Sequence, residues 1–201
     1  MIDVRAITEL HRSSVVRWHQ ADLDNPYDDF LALVCHQHQR NFLLWHQEDL
    51  ARSPDATDAT MAAVKRAIDK FNQERNDAIE ALDDYLLRNL DAWGTRLRPR
   101  AKMNTETPGS VIDRLSVLAL RIYHMEEQAR RSDATPEHRA RAGEKLTILG
   151  EQLKDLSKSL GELLADVAAG RKRLKIYRQF KMYNDPTLNP YLYTAAQKPA
   201  A

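Results

Sequence analysis

A chain of 201 residues with 43% apolar residues and one cysteine can bury a substantial core unaided, and no break in composition argues for a second domain. The lone Cys35 excludes an internal disulfide and a paired-cysteine metal site, and 30 basic against 29 acidic residues leave a net charge of +1, with no global field to recruit nucleic acid. The first residues lack a basic stretch ahead of an apolar run, and nothing approaches the roughly 18 apolar residues that span a bilayer. The expectation is a cytoplasmic protein with neither signal peptide nor membrane span.

Apolar residues recur at steps of three and four throughout, and no Val/Ile/Thr run alternates with period two. The first helix is expected over about 3–20, with Val4, Ile7, Leu10, Ser14 and Trp18 on one face. Asp24-Asn25-Pro26-Tyr27 makes a turn, and the second helix runs over about 27–52, stopping before Ser53-Pro54 because a residue ahead of proline disfavours the helical region. The third starts near Thr57 or Asp58 and runs to Trp93-Gly94. A basic, irregular connection from Thr95 to Glu106 follows.

The fourth helix begins at Thr107-Pro108 and the fifth at Thr135-Pro136, each a capping hydroxyl ahead of proline at the first helical position. From Leu146 to Leu174 leucines and a valine alternate at three and four, a seam of four heptads that predicts one long helix packed lengthwise on its neighbours. The tail from Asn184 through Pro186, Pro190 and Tyr193 is expected to be non-helical, with Leu188, Tyr191, Leu192 and Tyr193 laid across the bundle. The fold class is therefore all-α: a single bundle of about five helices over 1–183, two of them long, with an extended aromatic tail over 184–201.

Polar residues interrupt the apolar faces. At 100° per residue, His38 and Asp49 fall in line with Leu31, Cys35 and Phe42, while Arg75 falls in line with Val64, Ile68, Phe71, Leu82 and Leu86. Burying such groups is costly unless they are paired, so a partner, a ligand or a metal must satisfy them. Asp69, Asn72, Asn76, Glu80 and Asp83 form a polar stripe on the third helix; Asn41, Trp45, Glu48 and Arg52 form one on the second. In an antiparallel hairpin the stripes would face one another. Carboxylates and amides so placed could hold a hard divalent cation or a phosphorylated ligand, or close a polar seam in which Arg75 pairs with Asp49 or Glu48.

Among the histidines, His36 and His38 point 200° apart, so they cannot share one metal from a helix; His38, His46 and His124 suit hydrogen-bonded or ligand-facing positions. No Glu-x-x-His occurs, which argues against a carboxylate-bridged di-iron site. Glu80-Ala-Leu-Asp83 has the spacing of helical metal-dependent nucleotide hydrolases, but their paired glutamates are missing from the second helix. At the start of the fourth helix, Thr107, Gly109 and Ser110 expose backbone N–H groups that would receive a phosphate or carboxylate, with Asp113 and Arg114 one turn in. Arg171 to Lys181 carries six basic residues with Tyr177 and Phe180 among them, a pattern that fits the closing end of a long helix better than a nucleic-acid strand.

Four strings bear a resemblance. They are Asn41-Phe-Leu-Leu-Trp45-His46-Gln-Glu48-Asp49-Leu-Ala-Arg52, Lys65 to Asp77, Glu106-Thr-Pro-Gly109-Ser-Val-Ile-Asp113-Arg114 with the four residues after it, and Tyr177 to Pro186. In these the chain resembles a bacterial domain-of-unknown-function family, number 4254. Asn104-Thr105-Glu106-Thr107-Pro108-Gly109 has Thr105 where that family usually has serine, which keeps the hydroxyl. The resemblance implies an all-helical protein without an established activity, associated with genes for cell-surface polysaccharide and glycosyl transfer. It supplies no catalytic residues.

The functional expectation is a pocket for a phosphorylated small molecule such as a sugar phosphate or nucleotide-sugar. Glu48, Asp49 and His46 would act as bases, or the two carboxylates as ligands to a divalent cation. His38, Asn41, Arg52, Asp69, Asn72, Asn76, Asp113 and His124 would orient the ligand, and Arg75 and Arg114 would neutralise phosphate. The competing expectation is a non-catalytic scaffold that binds a partner, or a second copy, through the heptad helix and aromatic tail.

Overall fold

The computed structural model describes residues 2–180, 182 and 185–195. Its helices are α1 (Val4–Trp18), α2 (Asp29–Leu50), α3 (Asp58–Leu90), α4 (Pro108–Arg130), α5 (Pro136–Ala168) and the short α6 (Pro190–Ala195). Four starts are capped by side chains: Asp3, Thr57, Thr107 and Thr135 each accept a hydrogen bond from a backbone N–H two or three residues on.

Helix α4 is the central element, packing along α5 and against α1, α2 and α3. That position explains its composition. Val111, Ile112, Leu115, Leu118 and Leu120 are all buried, more than one apolar stripe can hold, because neighbours cover the helix on several sides. Each contributes roughly 1.5–3 kcal/mol through removal from water. Ile7, Leu10 and Trp18 of α1, Val34 and Phe42 of α2, Leu82 and Leu86 of α3, and Leu160, Leu163 and Val167 of α5 complete the core. Cys35 packs there as a small apolar residue, and burial pushes its thiol up to about 11.

Three expectations are corrected. The heptad seam ends early: α5 stops at Ala168 and Gly170 turns the chain with φ +67°, so Leu174 is buried from beyond the helix. The irregular connection acquires order by pairing. Lys102–Met103 (β1) lies parallel to Lys172–Arg173 (β2), the two-stranded sheet of an otherwise helical fold. The tail does form a helix, because Pro190 occupies the first position of α6 and the Asn189 side chain accepts from the Tyr191 N–H at 3.0 Å. It also does not lie across the bundle, since Leu188, Tyr191 and Leu192 are exposed. Lys181, Tyr183 and Asn184, and the side chain of Tyr193, lie outside the described residues.

Candidate functional site

Two of the residues that interrupt the helix faces, His38 and Arg75, meet in one largely buried network centred on α4. Asp113 Oδ1 accepts from Gln37 Nε2 at 2.6 Å, Asn41 Nδ2 at 2.9 Å and Arg75 Nε at 2.7 Å, while its Oδ2 takes the second arm of the Arg75 guanidinium. This is a bidentate pair with two amide donors added, so the one carboxylate ties α2, α3 and α4 together. Burial opposes the charge on Arg75, but its bonds to Asp113 outweigh that and raise its pKa.

The second Asn41 hydrogen reaches Ser116 Oγ at 2.8 Å, and Ser116 Oγ lies 2.6 Å from His38 Nδ1. His38 Nε2 is 3.1 Å from the His11 carbonyl, which can only accept. Nε2 therefore carries the proton, and the Ser116 hydroxyl donates to Nδ1. This serine–histidine pair is sealed, both residues being 0% exposed, and desolvation lowers His38 to about 3. It is a structural link, not a nucleophile facing solvent. The His11 ring packs on His38 with centroids 4.6 Å apart, and neither of its nitrogens has a partner among the described residues.

Arg75 is where this interior reaches the surface. It forms a common wall, with Val117 and Arg121, of two grooves of 610 and 520 Å³. The first also takes in Asp113, Arg114, Gln152 and Asp155; the second takes in Asn41, Trp45, Glu48, Asp49 and Arg52. The two grooves adjoin along that wall, a divided cleft over α4. Arg121 has no ion pair or hydrogen bond among the described residues, whereas Arg114 pairs with Glu106 at 2.6 Å and Arg52 with Glu48 at 2.7 Å.

The expected site residues divide accordingly. Asn41, Glu48, Asp49, Arg52, Arg75, Asp113 and Arg114 come together in the cleft. Asp49, however, is exposed rather than buried in line with His38, and Arg75 pairs with Asp113 instead of Asp49 or Glu48. Among the described residues no hydrogen bond or ion pair joins the polar stripes of α2 and α3; Asn41 turns to α4 instead. Asp69 pairs with Lys65 along α3, and Asn72 and Asn76 are half-buried outside the network. His46 and His124 line neither groove; they join His19, Trp45, Phe42 and Tyr123 in a ring cluster, with His124 stacked on Trp45 at 5.0 Å and bonded to Glu127 at 2.8 Å. Burial, then the neighbouring imidazoles of His19 and His124, lowers the pKa of His46.

The anion site expected at the start of α4 is filled from within. Asp83 Oδ1 accepts from the Gly109 N–H at 2.8 Å, Thr107 Oγ1 from that of Ser110 at 3.2 Å, and the Thr107 carbonyl from that of Val111 at 3.1 Å. The N–H groups of Gly109, Ser110 and Val111 are thereby taken up within the chain. Desolvation raises Asp83 to about 6, against the opposing bonds from Thr107 and Gly109. Gly109 is required because a Cβ would lie 2.7 Å from the Ile79 carbonyl oxygen.

Sequence reasoning missed Gln37, Ser116, His11 and Arg121. Gln37 with Asn41 at a spacing of four, Asp113 with Ser116 at three, and Asp113, Val117, Arg121 at successive fours were the available signals. Among the described residues, no group of three or more His, Cys, Asp or Glu side chains is arranged to hold a metal ion, and no helix is long and apolar enough to cross a membrane. A family described as "Protein of unknown function (DUF4254)" matches the chain over residues 31–176. No curated protein and no solved structure matches.

Proposed function

Because the chain belongs to the DUF4254 family, whose description assigns no activity, we propose a function from the geometry: the cleft over α4 binds a small phosphorylated molecule. Arg121 carries this reading. It is a guanidinium without a partner among the described residues, on the wall common to both grooves, beside an Arg75 whose direction is fixed by Asp113. One held and one free guanidinium make a clamp for a phosphate, the first supplying pre-organised charge and the second closing on the ligand. Val117, Leu44 and Trp45 offer the apolar surface that a sugar or base would cover.

Asp49 supports a place for a divalent cation carried in with the phosphate, since magnesium asks for only one or two protein carboxylates and keeps its waters. Glu48 would join it by releasing Arg52. Sugar phosphates and nucleotide-sugars suit the two grooves in size, with Arg121 toward the phosphate while the other three lining arginines are held by carboxylates, and a role in polysaccharide synthesis would follow from such a ligand. The ring cluster keeps His46 away from the grooves, so binding, and not acid–base chemistry by that histidine, is what the arrangement supports.

The test is a thermal-shift screen of nucleotide-sugars and sugar phosphates with and without magnesium. A ligand should raise Tm of the native chain, and Arg121→Ala should abolish that rise while leaving the ligand-free Tm within a degree or so, as for an exposed residue without contacts. Ligand stabilisation that survives Arg121→Ala overturns the proposal.

A further inference from the structure

Two basic segments about 70 residues apart in the sequence are brought side by side. Segments 94–105 and 169–177 contain Arg96, Arg98, Arg100, Lys102, Arg171, Lys172, Arg173 and Lys175, and neither contains an acidic residue. The β1–β2 pairing sets Lys102 against Lys172 and Met103 against Arg173, and two further backbone bonds extend the seam: the Arg98 N–H to the Gly170 carbonyl at 3.0 Å, and the Asn104 N–H to the Arg173 carbonyl at 3.1 Å. Arg98, Arg100 and Arg171 line one 330 Å³ groove, so side chains from the two segments lie on a common face.

Asp166 neutralises only part of this charge, pairing with Arg171 at 2.6 Å and approaching Lys172 at 3.8 Å. Arg96, Arg100, Lys102, Arg173 and Lys175 form no ion pair among the described residues. In a chain of net charge +1, that is a concentrated local field. Large apolar side chains stand exposed in and beside the same segments: Trp93, Leu97, Met103, Tyr177 and Phe180. Leu97 and Met103 alternate with the cations of the first segment, and in the β1–β2 ladder Met103 shares a side with Arg173 while Lys102 and Lys172 share the other.

We infer that this joined loop face docks on an anionic membrane surface. Cations draw the face to acidic headgroups, each near the surface adding its increment, and apolar side chains among them enter the headgroup–acyl boundary. The choice between a bilayer and a single-stranded nucleic acid turns on Leu97 and Met103. A nucleic-acid strand is gripped through its phosphates and by aromatic rings on which its bases stack, a role that Leu97 and Met103 fill poorly, whereas a bilayer takes aromatic and aliphatic chains alike.

The experiment is co-sedimentation of the full chain with vesicles of phosphatidylcholine alone or mixed with phosphatidylserine, alongside a single-stranded RNA oligonucleotide. Binding is expected to the anionic vesicles, weakly or not at all to neutral ones, and should fall with added salt. Arg100→Glu/Lys102→Glu/Arg173→Glu should weaken it by about a hundredfold or more, and Leu97→Ser/Met103→Ser should weaken it without removing a charge. Circular dichroism of both variants should match the native chain; if either unfolds, Arg100→Gln and Leu97→Ser alone carry the comparison. No preference for anionic vesicles, or RNA binding tighter than vesicle binding and indifferent to Leu97 and Met103, overturns the inference.

Discussion

Arg75 and Asp113 lie 38 residues apart in the sequence and form a two-armed ion pair that no other cation enters among the described residues. The carboxylate is 7% exposed and receives two amide donors besides, so it is the one charge about which three helices are oriented.

Arg75→Leu should cost about 3–5 kcal/mol, because it strands a buried carboxylate without its cation. Arg75→Leu combined with Asp113→Leu should recover a large part of the loss, since a buried pair is worth less than either partner left alone. Urea unfolding of both variants measures this; a single variant as stable as the native chain would show that the pair contributes nothing.

Histidines 11 and 38 are buried with lowered pKa, His38 at about 3. Below the ordinary histidine pKa of about 6.5 the unfolded chain takes up protons that these folded rings refuse. Their contribution to stability is therefore full above that pH and falls as the pH drops through 6 toward 4. His11→Phe, which loses no hydrogen bond from the ring, should keep stability at pH 8 and flatten the slope below 6.5. Denaturant midpoints across pH 4–8 decide it.

Asp83 runs the other way. Its pKa of about 6 lies above its ordinary value, so between about 4 and 6 the folded chain holds the extra proton and this residue's contribution declines as pH rises. Asp83→Asn keeps an oxygen for the Gly109 N–H and removes the buried charge. It should raise stability at neutral pH, by at most roughly 3 kcal/mol, and the gain should vanish near pH 4. A variant that is less stable at pH 7 would mean that the charged form is favoured by the start of α4.

Gly109→Ala should destabilise by about 1–3 kcal/mol, since its methyl would press on the Ile79 carbonyl oxygen and on Asp83 at 2.9 Å, both in a packed helix crossing. Gly150, with nothing within 4 Å of an added Cβ, is the control and should be neutral or slightly stabilised by alanine. Thermal unfolding of the two variants, side by side, makes the comparison.

The helices were legible because their signals are local. The Thr-Pro starts at 107–108 and 135–136 and the three-and-four spacing of the core each need only a few neighbouring residues. The requirement that Arg75 find a buried partner was legible too, since its place on an apolar stripe demanded one. Which partner was not, because Glu48, Asp49 and Asp113 are chemically equivalent candidates and only the crossing of α3 over α4 selects among them. Asp83 had the same ambiguity: it looked like part of a ligand stripe, while the N–H it satisfies lies 26 residues on, at Gly109. Order between 102–103 and 172–173 needed two remote segments to meet, and neither carries a strand pattern alone.

That meeting has a consequence for the chain as a string. The Thr95 hydroxyl bonds to the Ala168 carbonyl at 3.1 Å, and Gly170, whose Cβ would fall 2.0 Å from the Arg96 carbonyl oxygen, lets the backbones touch. The stretch from 95 to 173 is thus a ring closed at its base, with α4 and α5 as its two sides. A protease cut in the exposed turn at 131–133 would open the ring at its far end yet leave the sides zipped by their shared core. The nicked halves should travel together on a sizing column and separate only in denaturant.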